Sequence, residues 1–64
     1  MRYAIRMIVD DNAEVHKILT ASETAELQQY LDNNDFDEQV ALAHRLYQSV
    51  GLSSEYASYS WEAA

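Results

Sequence analysis

The stretch "DFDEQVALAHRLYQSVG", residues 35–51, decides the fold more clearly than any other part of the sequence. Its apolar side chains recur at alternating spacings of four and three residues, which predicts an amphipathic helix with a broad buried face. The predicted stripe consists of Phe36, Val40, Ala43, Tyr47 and Val50, with Leu42 and Leu46 widening it.

Both ends of this helix are marked in the sequence. Asp35 and Glu38 have the spacing of a capping box, in which each side chain binds a free backbone N–H of the first turn. Gly51 suits the left-handed conformation that ends a helix, and Leu52 beyond it can then contact Tyr47 as in a Schellman motif. We therefore expect the helix to run from just after Asp35 to just before Gly51.

The preceding stretch "TASETAELQQYLDNN", residues 20–34, predicts another helix. Thr20 and Glu23 have capping-box spacing, and Ser22 is an alternative N-cap. Its buried stripe is expected to contain Leu27, Tyr30 and Leu31. The helix is expected to end at Asn33 or Asn34, either of which can adopt the left-handed conformation.

The N-terminal part of the chain predicts a β-hairpin. Residues 2–9, "RYAIRMIV", alternate with the period of two that is typical of a half-buried strand. The turn-forming "DDNA" follows, and residues 14–20, "EVHKILT", are rich in β-branched side chains. Two such segments joined by a short turn indicate an antiparallel pair.

The register of the hairpin is predicted from charge. Loops of two or four residues would place Arg6 opposite Lys17, which is a like-charge pair. A three-residue loop instead pairs Val9 with Val15, leaves Lys17 at the edge of the apolar face, and also pairs Ile5 with Leu19. The inner face is then formed by Tyr3, Ile5, Met7, Val9, Val15 and Leu19. The outer face carries Arg2, Arg6, Ile8, His16 and Ile18.

The tail "SSEYASYSWEAA", residues 53–64, favours a third strand, because Ala57, Tyr59 and Trp61 alternate with smaller or polar residues. The alternative is a short helix capped by Ser54. With the strand, the element order is β-β-α-α-β. The predicted fold class is therefore α+β: a single two-layer domain, residues 1–64, with an antiparallel hairpin and a C-terminal third strand packed under two helices.

The charge of the chain is unbalanced. Eleven Asp and Glu face four Lys and Arg, for a net charge of −7, and nine of the acids lie within residues 10–38. Direct binding to nucleic acid is disfavoured, because phosphate contacts need Lys and Arg. A basic protein surface is the favoured partner. The alternative is that the acidity only keeps a small protein soluble.

The sequence offers no recognisable catalytic, cofactor or metal motif. Two acidic stretches begin like calcium loops, but the required glycine and glutamate positions hold other residues. His16 and His44 have no second ligand at a zinc-binding spacing, and no serine has an ordered base. We expect a non-enzymatic, cytoplasmic protein without cofactor, metal, membrane segment or signal peptide.

In size and charge the chain resembles the phage- and plasmid-encoded inhibitors that mimic DNA, among them anti-restriction, anti-CRISPR and uracil-glycosylase inhibitor proteins. The resemblance lies in composition and assigns no residues. It implies an anti-defence inhibitor that occupies the basic, nucleic-acid-binding surface of a larger protein. If the acids of this chain share a side, those expected to bind are Asp10, Asp11, Glu14, Glu23, Glu26, Asp32, Asp35, Asp37 and Glu38.

A second hypothesis assigns binding to apolar and aromatic surface. The chain would then be a homodimeric regulatory or accessory protein, or an antitoxin-like one, and the acids would serve only solvation. Its interface would contain Tyr56, Tyr59 and Trp61, since Tyr and Trp are enriched at interface hot spots. Ile8 and Ile18 on the outer sheet face would extend it. For Trp61, completion of the core is the competing role.

Overall fold

The strands and helices occur in the predicted order. In the computed structural model, which describes residues 2–8, 14–52 and 58–64, the elements are β1 (Tyr3–Ile8), β2 (Glu14–Ile18), α1 (Ala21–Asp32), α2 (Phe36–Ser49) and β3 (Ser58–Ala63). The strands form one antiparallel sheet in the order β2-β1-β3, and the helices cover its inner face. The chain is therefore an α+β domain of order β-β-α-α-β.

The tail forms a strand, so the alternative of a short helix running through Glu62 is wrong. β3 pairs with β1 and makes β1 the central strand, with Ile5 opposite Trp61 and Met7 opposite Tyr59. The earlier part of the tail, including Tyr56, lies outside the described residues.

The predicted hairpin register is wrong by two residues, although the described residues of both strands lie on their predicted faces. Val9 lies outside the described residues. Val15 pairs with Met7 and not with Val9, and Ile5 pairs with Lys17. Five residues therefore separate the paired ends Ile8 and Glu14, where three were predicted. Because side chains alternate with a period of two, a shift of two residues leaves every side chain on its face. The longer connection also removes the need for the glycine that a three-residue loop prefers.

α1 begins as the sequence predicts. The Glu23 backbone N–H donates to Thr20 Oγ1 at 3.1 Å, and the Thr20 backbone N–H donates to Glu23 Oε1 at 2.9 Å. Both halves of the capping box are therefore formed, and Thr20, not Ser22, is the N-cap.

A single turn joins the two helices. Asn34 has a φ of 53°, the left-handed conformation predicted for one of the two asparagines. Its N–H donates to the Leu31 carbonyl at 3.2 Å, and the Asp35 N–H donates to the Tyr30 carbonyl at 2.9 Å, which is the Schellman pattern. Asp35 also caps α2 by accepting from the Glu38 N–H at 3.4 Å. Only that half of the second capping box forms, since the Asp35 N–H is already bound by α1.

α2 ends in a second Schellman motif. Gly51 has a φ of 76°, its N–H donates to the Gln48 carbonyl, and the Leu52 N–H donates to the Tyr47 carbonyl, both at 3.0 Å. Leu52 packs against the core as predicted.

The core lies between the inner sheet face and both helices. Its buried members are Ile5, Met7, Leu19, Leu27, Leu42, Ala43, Leu46 and Tyr47. The predicted stripe of α2 is wrong at three positions, because Phe36 is 69% exposed, Val40 41% and Val50 39%. A helix lying on a sheet buries one face. In α2 that face runs through Leu42 and Leu46. Phe36 and Val50 lie at the two ends of the helix, and Val40 lies on the flank of the buried face.

Candidate functional site at the helix junction

Four carboxylates surround the turn between the helices. Asp32 is the last residue of α1, Asp35 caps α2, and Asp37 and Glu38 lie in the first turn of α2. We call these four residues the acidic junction. Asp32, Asp37 and Glu38 are exposed, and Asp35 is half-buried. The fold therefore brings together four of the nine acids predicted to bind.

The members of the junction differ in how far local structure occupies them. Asp35 serves as the N-cap, and Asp32 accepts a hydrogen bond from Gln28 Nε2 at 2.9 Å. Asp37 and Glu38 carry negative charge at a helix N-terminus, where the macrodipole stabilises it. Both residues are exposed, so this stabilisation leaves their carboxylates accessible to a partner.

Glu23 and Glu26 are held by the fold. Glu23 closes the α1 capping box. Glu26 accepts hydrogen bonds from the Arg45 guanidinium and from the Tyr30 hydroxyl, the latter at 2.7 Å. The hydrogen bond from Arg45, and after it the bond from Tyr30, lowers the pKa of Glu26. The same bond to Glu26 raises the pKa of Tyr30. Since Glu26 lies on α1 and Arg45 on α2, the cluster ties the two helices together.

Glu14 lies on the opposite side of the molecule from the acidic junction, on the sheet face that no helix covers. It pairs with Arg6 at 3.0 Å. Arg6 also pairs with Glu62 at 3.3 Å, and His16 Nε2 is 2.7 Å from Glu62 Oε1. Sequence analysis did not foresee this network. It joins side chains from all three strands, and the register that brings them together was not the predicted one. Asp10 and Asp11 lie outside the described residues.

The distribution of cations sets the acidic junction apart. Arg6 is paired on the outer sheet face, and Arg45 is paired with Glu26. Within residues 2–8, 14–52 and 58–64, no basic side chain lies at salt-bridge distance from any of the four junction carboxylates. The uncompensated charge of the described residues is therefore concentrated on the helical side.

The junction also exposes an aromatic ring. Phe36 is 69% exposed and stands in the sequence between Asp35 and Asp37. Val40, one helical turn further along α2, is 41% exposed. Both residues were predicted to lie in the core. The available signal was their position, since Phe36 is the first residue of α2 and Val40 lies at the edge of the predicted stripe.

The aromatic residues of β3 contribute to the core. Tyr59 and Trp61 pack against it, and their ring centroids are 5.2 Å apart in an edge-to-face arrangement. The Tyr47 hydroxyl donates to the Ser58 carbonyl, which fixes β3 to α2. Burial raises the pKa of Tyr59. Of the described side chains assigned to the alternative interface, Ile8 and Ile18 on the outer face are the ones that stand exposed.

Other kinds of site are absent from the described part of the chain. No three His, Asp or Glu side chains there are grouped to hold a metal ion. Neither helix in those residues has the length and apolar character that a membrane crossing requires. Comparison with protein-family models, curated proteins and solved structures finds no match. The acidic junction and its surroundings are therefore the candidate functional site of the described residues.

Proposed function

We propose that this chain is a small, non-enzymatic binding protein that occupies a basic surface of a larger protein that handles nucleic acid. The observation that supports this proposal is the acidic junction, whose four carboxylates have no basic partner among the described residues. A surface that carries uncompensated charge of one sign attracts a partner of the opposite sign and speeds their association.

The density of charge supports a nucleic-acid-binding surface as the target. Asp35, Asp37 and Glu38 fall within about 4.5 Å of helix rise, which is a mean spacing of roughly 2 Å between charges. Duplex DNA carries about one charge per 1.7 Å of its axis. A basic surface built to bind phosphates can therefore meet a similar density of charge here. An inhibitor of the DNA-mimicking, anti-defence type has these properties.

The proposal can be tested with two variants of equal net charge. Asp37→Asn/Glu38→Gln neutralises the junction, and Glu14→Gln/Glu62→Gln removes the same charge from the outer sheet face. Wild-type protein is immobilised and used to capture basic proteins from a lysate of the organism that encodes it. We expect a captured protein that is released by raised salt and by added duplex DNA.

The two variants decide where the captured protein binds. We expect the junction variant to lose capture and the outer-face variant to retain it, with both variants folded by circular dichroism. Equal capture by the two variants, or capture that neither salt nor duplex DNA reverses, would reject the proposal. Loss of capture in the outer-face variant alone would move the binding surface to the sheet.

A further inference from the structure

Phe36 and Val40 form an apolar face on α2 that the fold leaves unused. The two residues are one helical turn apart and therefore adjacent on the helix surface. Neither belongs to the core cluster or to the half-buried side chains packed against it. A phenyl ring at 69% exposure retains most of its apolar area for burial against a partner. We call this pair the apolar face.

The charge around the apolar face restricts what can cover it. Asp35, Asp37 and Glu38 adjoin Phe36 in the sequence and make the start of α2 anionic. Asp37 lies three residues before Val40 and so borders the apolar face on the helix surface. A second copy of this chain would bring the same carboxylates, and a net charge of −7, against them. A partner with Lys and Arg around an apolar recess would meet favourable contacts with both the ring and the charges.

We propose that Phe36, supported by Val40, is the apolar anchor of the docking surface, and that it inserts into an apolar recess bordered by Lys and Arg on a protein partner. This inference rests on the proposed function and adds a component of binding that salt does not remove. Interface hot spots are large apolar or aromatic side chains enclosed by a polar rim that excludes water. Phe36 is a large exposed aromatic side chain at the anionic start of α2, so it can serve as the apolar part of such an arrangement.

The test uses two synthetic peptides of equal length and equal positive charge. One carries a leucine stripe bordered by lysines on one helix face, and the other carries serine in place of each leucine. Affinities are measured by fluorescence anisotropy at low and high salt. We expect Phe36→Ala to weaken binding of the leucine peptide about tenfold and to leave binding of the serine peptide unchanged.

Two control variants separate the anchor from the charge. Ile18→Ala removes an apolar side chain that is 55% exposed on the outer sheet face, and we expect it to change neither affinity. Asp37→Asn/Glu38→Gln is expected to weaken both peptides. Since Phe36 is outside the core, Phe36→Ala should keep the wild-type melting temperature, which circular dichroism verifies.

Each contrary outcome has a distinct meaning. If Phe36→Ala changes neither affinity while the acidic variant weakens both, the anchor is rejected and the proposed function stands. If the acidic variant changes neither affinity, the basic partner is rejected, and with it both proposals. If sedimentation shows a wild-type dimer that Phe36→Ala dissociates, the apolar face is covered by a second copy and the inference is wrong.

Discussion

At the scale of single residues, the same carboxylate chemistry has different uses according to its surroundings. Glu26 is bound by Arg45 and by the Tyr30 hydroxyl, and its charge serves to join α1 to α2. Asp37 lies exposed at the start of α2 with no such partner among the described side chains. Net charge alone does not distinguish these two roles, because both residues contribute equally to it.

The structural role of Glu26 predicts a pH dependence of the free energy of unfolding, which Glu26→Gln should remove. A carboxyl whose pKa is lowered by folding adds stability above its unfolded pKa, here near 4.5, and loses it as pH falls through the folded pKa. Because the Glu26–Arg45 pair is partly exposed, we expect the free energy of unfolding of the wild type to exceed that of the variant by less than about 1 kcal/mol at neutral pH. Below both pKa values that advantage should vanish.

Urea denaturation at about pH 7 and about pH 3 measures this difference in free energy of unfolding. The double variant Glu26→Gln/Arg45→Gln is the control, since the coupling between the two sites should be present only at the higher pH. A gap between wild type and Glu26→Gln that stays constant over this range would contradict the assignment.

At the scale of elements, the ends of the helices carry much of the information that specifies this fold. Both helices end in Schellman motifs, one with Asn34 and one with Gly51 in the left-handed conformation. The first of these motifs shares Asp35 with the N-cap of α2, so the ends of two helices are satisfied within one turn. Because one turn serves the ends of both helices, the four carboxylates around it lie close together.

Gly51 provides the clearest test of a helix end. A Cβ added there would meet nothing within 4 Å, so the effect of Gly51→Ala comes from its φ of +76° alone. A non-glycine residue in this conformation costs about 1–2 kcal/mol. For a domain of this size that lowers the melting temperature by roughly 4–8 °C per kcal/mol. Thermal denaturation followed by circular dichroism measures it.

Asn34→Gly is the matched control for this prediction. Asn34 already adopts a φ of 53°, which glycine accepts without strain. We expect the melting temperature of this variant to stay close to that of wild type. A Gly51→Ala protein as stable as wild type would show that the second Schellman motif contributes nothing to holding α2.

Sequence patterns predict the elements of this fold better than their exposure. Caps at Thr20, Asp35 and Gly51 follow from local chemistry, so they were predictable. The hairpin register was not predictable, since two registers that place the same side chains on the same faces of the sheet differ only in loop length. The exposure of Phe36 was also missed, because periodicity identifies the buried face of a helix but not how far along the helix the core extends. The cation pairing that isolates the acidic junction depends on tertiary contacts such as that of Arg45 with Glu26.

At the scale of the whole molecule, charge opposes folding. A net charge of −7 on 64 residues favours expansion, and the two described arginine clusters offset only part of it. Salt acts in both directions, because it weakens repulsion within the acidic junction and also attraction within the ion pairs. Because eleven acids face four bases, we expect the repulsion to be the larger of the two effects.

We therefore expect the melting temperature to rise as salt increases from about 0.01 M to about 0.5 M, over which the screening length falls severalfold from ~30 Å. The variant Asp32→Asn/Asp37→Asn, with less charge to screen, should show a smaller rise. Calorimetry at several salt concentrations measures both. A melting temperature that falls with salt would mean that the pairs of Arg6 and Arg45 dominate the electrostatic energy.

The position of β1 at the centre of the sheet determines when the fold can be completed. One neighbour, β2, follows it closely in the chain, but the other, β3, comes only after both helices. During synthesis, therefore, one edge of the central strand keeps its backbone groups unpaired until both helices and β3 have been made. Closing so long a loop is slow compared with forming a hairpin or a helix. The growing chain consequently exposes an open sheet edge that the finished protein keeps covered.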